Sequence, residues 1–268
     1  MFAFIAAFYY LGSWVDGLLS PGGPGDDGRV LTPVAHAASL IAVALVVPWS
    51  MFLQRWLYGV RGASLTSVVS RFRFGLFGKA LLAIAPAMLI ALAISEHVTP
   101  YRTSEWLQSD VIWLFVVSLL LLPLQCAGEE YGLRGLVFRI AASWGRGRTT
   151  SLILGIGVSS MIFSAIHTTG NPMWNLFYVI FSVTTAFITW RTGGLEIAVV
   201  LHAVVNTLTF VFWIALNADL AERLDRSAPV SPSLVIASSL VFVGAAVVVW
   251  LRTRRSGPVT TPSGPLEQ

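Results

Sequence analysis

Residues 111–135 read VIWLFVVSLLLLPLQCAGEEYGLRG. The part from Val111 to Leu124 carries no charge, and its apolar residues face every direction of a helix, as in a segment solvated by lipid. Glu129, Glu130 and Arg134 follow without a break. A charge near the middle of a membrane helix costs roughly 2.5–3.5 kcal/mol on insertion scales, so a chain keeps charges there only for a reason. Neighbouring residues on a helix point about 100° apart, so the two carboxylates cannot share one direction. Glu130 and Arg134 stand at i, i+4 with the acid first, the favourable order. Arg134 is therefore expected to neutralise Glu130. Glu129 is left to face the bundle interior without a partner, a setting that suits a general base. Taken alone, the cluster reads equally as an ion-paired helix end at the interface.

The same apolar texture recurs along the chain. Of 268 residues, 56% are hydrophobic and only 11% charged, against about 25% charged in soluble domains. A span needs roughly 20 mostly apolar residues, and candidates fall at about 2–19, 34–54, 74–94, 110–127, 151–167, 173–190, 195–215 and 232–251. The fourth is expected to continue as helix to about 142. The first has no positive flank before it and no small-residue cleavage site, so it reads as a span rather than a cleaved signal. The fold class is thus all-α, a polytopic transmembrane helix bundle of about eight spans. One domain is expected over 1–255, with a disordered Pro/Ser/Thr-rich tail at 256–268. Cys126 is the only cysteine, which excludes an internal disulfide and a CxxC metal site.

Sixteen of the seventeen basic residues are Arg; the exception is Lys79. That bias points to a bacterial host and so to its plasma membrane. With a cytoplasmic N-terminus and eight spans, Arg29, Arg102, Arg223 and Arg226 fall outside and all other basic residues inside. This asymmetry favours both termini in the cytoplasm. No basic run with interleaved aromatics occurs, so nucleic acid is not an expected partner. Membrane lipid is.

Two more polar motifs sit in apolar spans. Phe163 and His167 end the fifth, and His202 and Asn206 share one face of the seventh at i, i+4. Each alone has a bland reading, His167 as an interfacial residue and Asn206 as an interhelical hydrogen bond. Together, two Glu, two His and one Asn from three spans form a set that a helix bundle can gather in its core. A carboxylate and an imidazole can activate a water, while a second His and an Asn donate to an oxyanion. Glu129, His167 and His202 could also ligate a divalent metal such as zinc. His36, His97, Asp16 and Asp110 lie near span ends and are expected in wet interfacial positions.

The ordered triple Glu129-Glu130-xxx-Arg134, Phe163-xxx-His167 and His202-xxx-Asn206 resembles the CPBP family of intramembrane proteases, the CAAX proteases and bacteriocin-processing enzymes also called the Abi family. The resemblance covers about 110–210, and none of the three motifs departs from the pattern. It implies a helical membrane fold with a polar chamber open to the cytosol. It also implies that Glu129 and His167 activate water, with His202 and Asn206 on the oxyanion. Glu130, Arg134 and Phe163 are supporting residues in this reading. Both metal-dependent and metal-free mechanisms are compatible with the pattern. The expected function is an intramembrane endopeptidase acting on a membrane-associated protein or peptide. A non-enzymatic scaffold, a bacteriocin-immunity protein and a proton-coupled transporter are the alternatives. One tension stands: counted from the span edges, straight helices would put Glu129 and His167 at opposite depths, unless Pro123 and Gly128 bend the fourth span or the span boundaries lie several residues away.

Overall fold

The computed structural model describes residues 31–167, 169–225, 228 and 230–259, with 10–11, 14–15 and 17–18 ahead of them. The helices are α1 (Pro33–Ala44), α2 (Val46–Tyr58), α3 (Phe74–Val98), α4 (Gln108–Glu130), α5 (Phe138–Ser143), α6 (Arg148–Ile166), α7 (Pro172–Thr192), α8 (Glu196–Ala215), α9 (Leu220–Leu224) and α10 (Pro232–Thr253). A π-helix, Tyr131–Val137, joins α4 to α5. Among the described residues, seven helical segments are long and apolar enough to cross a membrane. They correspond to seven of the eight expected spans; the expected span at 2–19 falls mostly outside the described residues, and Asp16 lies outside them. The protein is an all-α polytopic membrane bundle.

Helix α8 is the hub. Two thirds of its apolar window (67%) is buried, against 22–39% for the other spans. It is apolar on all sides, which lets it sit inside the bundle. It packs against α4, α3 and α7, while α1 covers α4, α10 bridges α7 and α3, and α6 lies beside α5 and α7. Its single charge outside the site, Glu196, is in the first turn, where the helix dipole favours an acid. Arg73 holds that carboxylate with two side-chain nitrogens, Nε at 2.8 Å and Nη2 at 2.6 Å, and its backbone N–H donates to it at 3.0 Å.

Polar contacts tie the loops of one end together. The Val68 amide donates to Gly193 O at 2.8 Å, and the Leu195 amide to Thr66 O at 2.9 Å. Gly193 closes α7 at φ +64°, a left-handed cap that favours glycine. Arg139 Nη1 donates to Ser64 O at 2.6 Å and its Nη2 to Leu65 O at 3.2 Å. The chain entering α3 and the turn between α5 and α6 therefore lie at the same end of the bundle.

The depth conflict dissolves in the length of the fourth span. It runs unbroken as helix from Gln108 to Ser143, 36 residues, about 54 Å at 1.5 Å per residue. The turn that reverses the chain lies between Ser143 and Arg148, in keeping with the expected continuation of the fourth helix to about 142. Counted from that turn, Glu129 and His167 lie on facing stretches of two antiparallel helices, and their side chains approach to 3.8 Å. No break at Pro123 or Gly128 is needed, since α4 continues through both. Gly128 serves another end: a Cβ there would run into the Val43 carbonyl and lie 3.2 Å from Ala44 Cα. The missing side chain lets α1 and α4 touch backbone to backbone.

Candidate active site

Glu129 and Glu130 are the last two residues of α4, and the wider π turn begins directly after them. Such departures from α geometry concentrate at functional sites. Glu130 and Arg134 are both fully buried, and Arg134 Nη1 donates to Glu130 Oε1 at 3.1 Å. The i, i+4 pairing read from the sequence is present. Glu130 has a second partner, His202 Nδ1, which donates to the same Oε1 at 2.8 Å. One carboxylate oxygen therefore ties α4 to the central helix α8. Two other Arg134 nitrogens, Nε and Nη2, are buried with no hydrogen-bond acceptor among the described residues. The guanidinium lies instead over the rings of Phe163 at 4.5 Å and Phe181 at 5.7 Å. Aromatic faces attract a desolvated cation and leave its unbonded edges less costly.

Glu129 stands between the two imidazoles. Its Oε2 is 3.8 Å from His167 Nε2 and 3.9 Å from His202 Nε2, and the carboxylate is 14% exposed. That oxygen has no hydrogen-bond partner among the described residues. The other oxygen does have one: Gln125, one turn earlier, donates from Nε2 to Glu129 Oε1. The expectation that Glu129 is left without a partner is thus corrected. The sequence held the signal, a polar residue at i−4 in an apolar span, but the ionisable residues alone drew attention there.

Both histidines are oriented from behind. His167 Nδ1 lies 2.9 Å from the Phe163 carbonyl. A carbonyl can only accept, so Nδ1 carries a proton and Nε2 is the ring nitrogen turned toward Glu129. The Phe163 ring stacks on His167 at 4.3 Å and meets His202 edge-on at 6.0 Å. Phe163 is therefore the packing centre on which Arg134 and both imidazoles rest. Cys126, buried in α4, donates to Gln125 Oε1 at 3.3 Å. It packs behind the carboxylates.

Asn206 is placed differently. It lines an adjoining cavity of about 210 Å³ with His36, Tyr178 and Trp213. Tyr178 lines that cavity and also lies 4.9 Å from the His167 ring. His36 corrects another expectation. It is buried rather than interfacial, with Nε2 3.2 Å from Ser118 Oγ and its ring stacked on Phe210 at 4.7 Å. His97 and Asp110 do lie in the terminal turns of α3 and α4.

A bound zinc would require three or more donors around one point at about 2.0–2.2 Å. Glu129 Oε2 faces both Nε2 atoms, but among the described residues no three His, Cys, Asp or Glu side chains close into a group able to hold a metal ion.

An all-α membrane bundle with a Glu-Glu, His, His constellation on three spans defines the class. Residues 108–208 match the family described as Type II CAAX prenyl endopeptidase Rce1-like, a CPBP family. The chain is also similar to the uncharacterized protein YyaK of Bacillus subtilis (strain 168), 29% identical over 189 residues. That match takes in 66% of this chain and spans 61% of the relative's length. No solved structure matches the chain.

Proposed function

We propose that the protein is an intramembrane endopeptidase that hydrolyses a peptide bond of a membrane-associated protein or peptide with a water activated by Glu129 and His167. The observation that carries this reading is Glu129 Oε2, which has no hydrogen-bond partner among the described residues and stands 3.8 and 3.9 Å from two imidazole nitrogens contributed by other helices. Those gaps are too long for direct hydrogen bonds and leave the oxygen's lone pairs to a third group. A water there gives one proton to Glu129 Oε2 and hydrogen-bonds through its other proton to His167 Nε2. Its oxygen attacks the scissile carbonyl, and the proton on Glu129 passes to the leaving nitrogen as the C–N bond breaks.

His202 supports the developing oxyanion, with Asn206 on the substrate side. Its Nδ1 proton is committed to Glu130, so donation from Nε2 requires the doubly protonated ring. Glu130 and Glu129 are the two carboxylates that would hold such a cation. The whole of 1–255 acts as one membrane domain. The site opens to the cytosolic face of a bacterial plasma membrane, in keeping with the basic asymmetry of the loops.

The test is cleavage of a membrane-peptide library by the purified, reconstituted chain and by Glu129→Gln, with thermal unfolding as the fold check. Loss of at least about a hundredfold in rate is expected for removing a general base, with the melting midpoint kept. A folded Glu129→Gln that cleaves at the wild-type rate sinks the assignment. A wild type that cleaves nothing while binding membrane peptides favours a scaffold.

A further inference from the structure

Helices α3 and α10 run antiparallel and meet closely at one end. There Ser95 Oγ lies 3.2 Å from Ser233 Oγ, and Thr99 Oγ1 3.4 Å from the same hydroxyl. At the other end the two helices part around a groove of about 810 Å³. Ala80 and Ala83 on α3 and Gly244 and Ala245 on α10 are among its walls. Small residues on facing membrane helices ordinarily let the backbones close on one another; here they line a space.

An apolar space this large, left empty, forfeits the dispersion contacts of its whole lining. Its size falls in the range of about 300–1,000 Å³ typical of built ligand sites. Its rim includes Leu240 and Val248, 68% and 56% exposed on the bilayer side of α10. The walls offer almost no hydrogen-bonding group, so a peptide lying there would bury backbone amides and carbonyls with nothing to bond. An acyl chain has none to lose.

The groove is also capped by charge. Lys79, in the second turn of α3, and Arg252, in the last turn of α10, both line it, and among the described residues no acidic one does. Both are exposed, and among the described residues neither forms an ion pair. The buried carboxylate at that end, Glu196, is already taken by Arg73.

We propose that this groove binds one anionic phospholipid, an acyl chain lying along Ala83 and Gly244 and the phosphate held between Lys79 and Arg252. Basic pockets between membrane helices bind anionic headgroups in this way. The chain supplies the contact area and the two cations supply the choice of headgroup. The site stands apart from the Glu129 cluster and does not depend on its chemistry.

The experiment is native mass spectrometry of the detergent-purified full chain titrated with dioleoyl phosphatidylglycerol or dioleoyl phosphatidylcholine, which share their acyl chains. One phosphatidylglycerol per chain is expected, bound at least tenfold more tightly than phosphatidylcholine. Each cation near a charged membrane surface contributes roughly fivefold, so Lys79→Gln with Arg252→Gln should lower that preference by up to about thirtyfold and bring the two lipids together. Gly244→Leu fills the groove, and because a Cβ at Gly244 meets nothing within 4 Å the bundle should be undisturbed; binding of both lipids should fall. Equal affinity of the wild type for the two lipids overturns the proposal without recourse to any variant. So does a preference that survives loss of both cations, or unchanged binding in a folded Gly244→Leu.

Discussion

Glu130 Oε1 lies 2.8 Å from His202 Nδ1, a contact between residues 72 positions apart in the chain. The same oxygen accepts from Arg134. Glu130 thus settles how the central helix is rotated against α4, and which edge of the His202 ring is turned toward Glu129.

Glu130→Gln should therefore unfold the site as well as weaken it. It strips the buried Arg134 guanidinium of the carboxylate it pairs with, and breaking a buried pair from one side costs about 3–5 kcal/mol. The thermal-unfolding midpoint in detergent should fall accordingly. Adding Arg134→Met should recover part of the loss, because the stranded charge is then gone. A stable single variant would show that Glu130 is not what neutralises Arg134.

Gln125 is expected to act as a positioning residue. It donates to Glu129 Oε1 and leaves Oε2 turned toward the imidazoles. Gln125→Met keeps the length of the side chain and removes the donor. The turnover number should fall about ten- to hundredfold, the scale of an ångström-level misplacement, with KM and the melting midpoint little changed. A rise in KM alone would place Gln125 in substrate binding instead.

Gly128→Ala should destabilise more than Gly132→Ala. The first puts a methyl into the backbone of Val43 and Ala44, whereas the second meets the Val46 side chain at 3.0 Å, which can shift. Overpacking against a rigid neighbour costs about 1–3 kcal/mol. Comparing the two unfolding midpoints tests whether the α1–α4 contact is backbone-limited; equal midpoints would argue that α1 moves aside freely.

The two loops joined through Arg139 should label from one side of the membrane, the cytoplasmic side. Cys126 is fully buried, so single cysteines at Val60 and Arg146 can be read with an impermeant maleimide against a silent background. Labelling of both only after the cells are opened is the expected pattern. Labelling of either in intact cells rejects the orientation, and a split between them rejects the loop contact.

Membrane residence and the seven described spans were legible in the sequence because hydrophobicity acts locally: each segment's partition into lipid is a sum over its own residues. The Glu130–Arg134 pair was legible for the same reason, since i, i+4 neighbours meet wherever a helix forms. The order of the three polar motifs identified the constellation, but not its contacts. Only the tertiary structure decided that His202 binds Glu130, that Glu129 faces two imidazoles while Gln125 holds it from behind, that His36 is buried, and that Asn206 opens onto a neighbouring cavity. Lipid is as apolar as leucine, so a membrane helix carries no strong hydrophobic face to say which side turns inward. Rotation and register are set instead by close packing, such as α1 against Gly128 and the aromatic rings around Phe163, and those contacts join residues far apart in the chain.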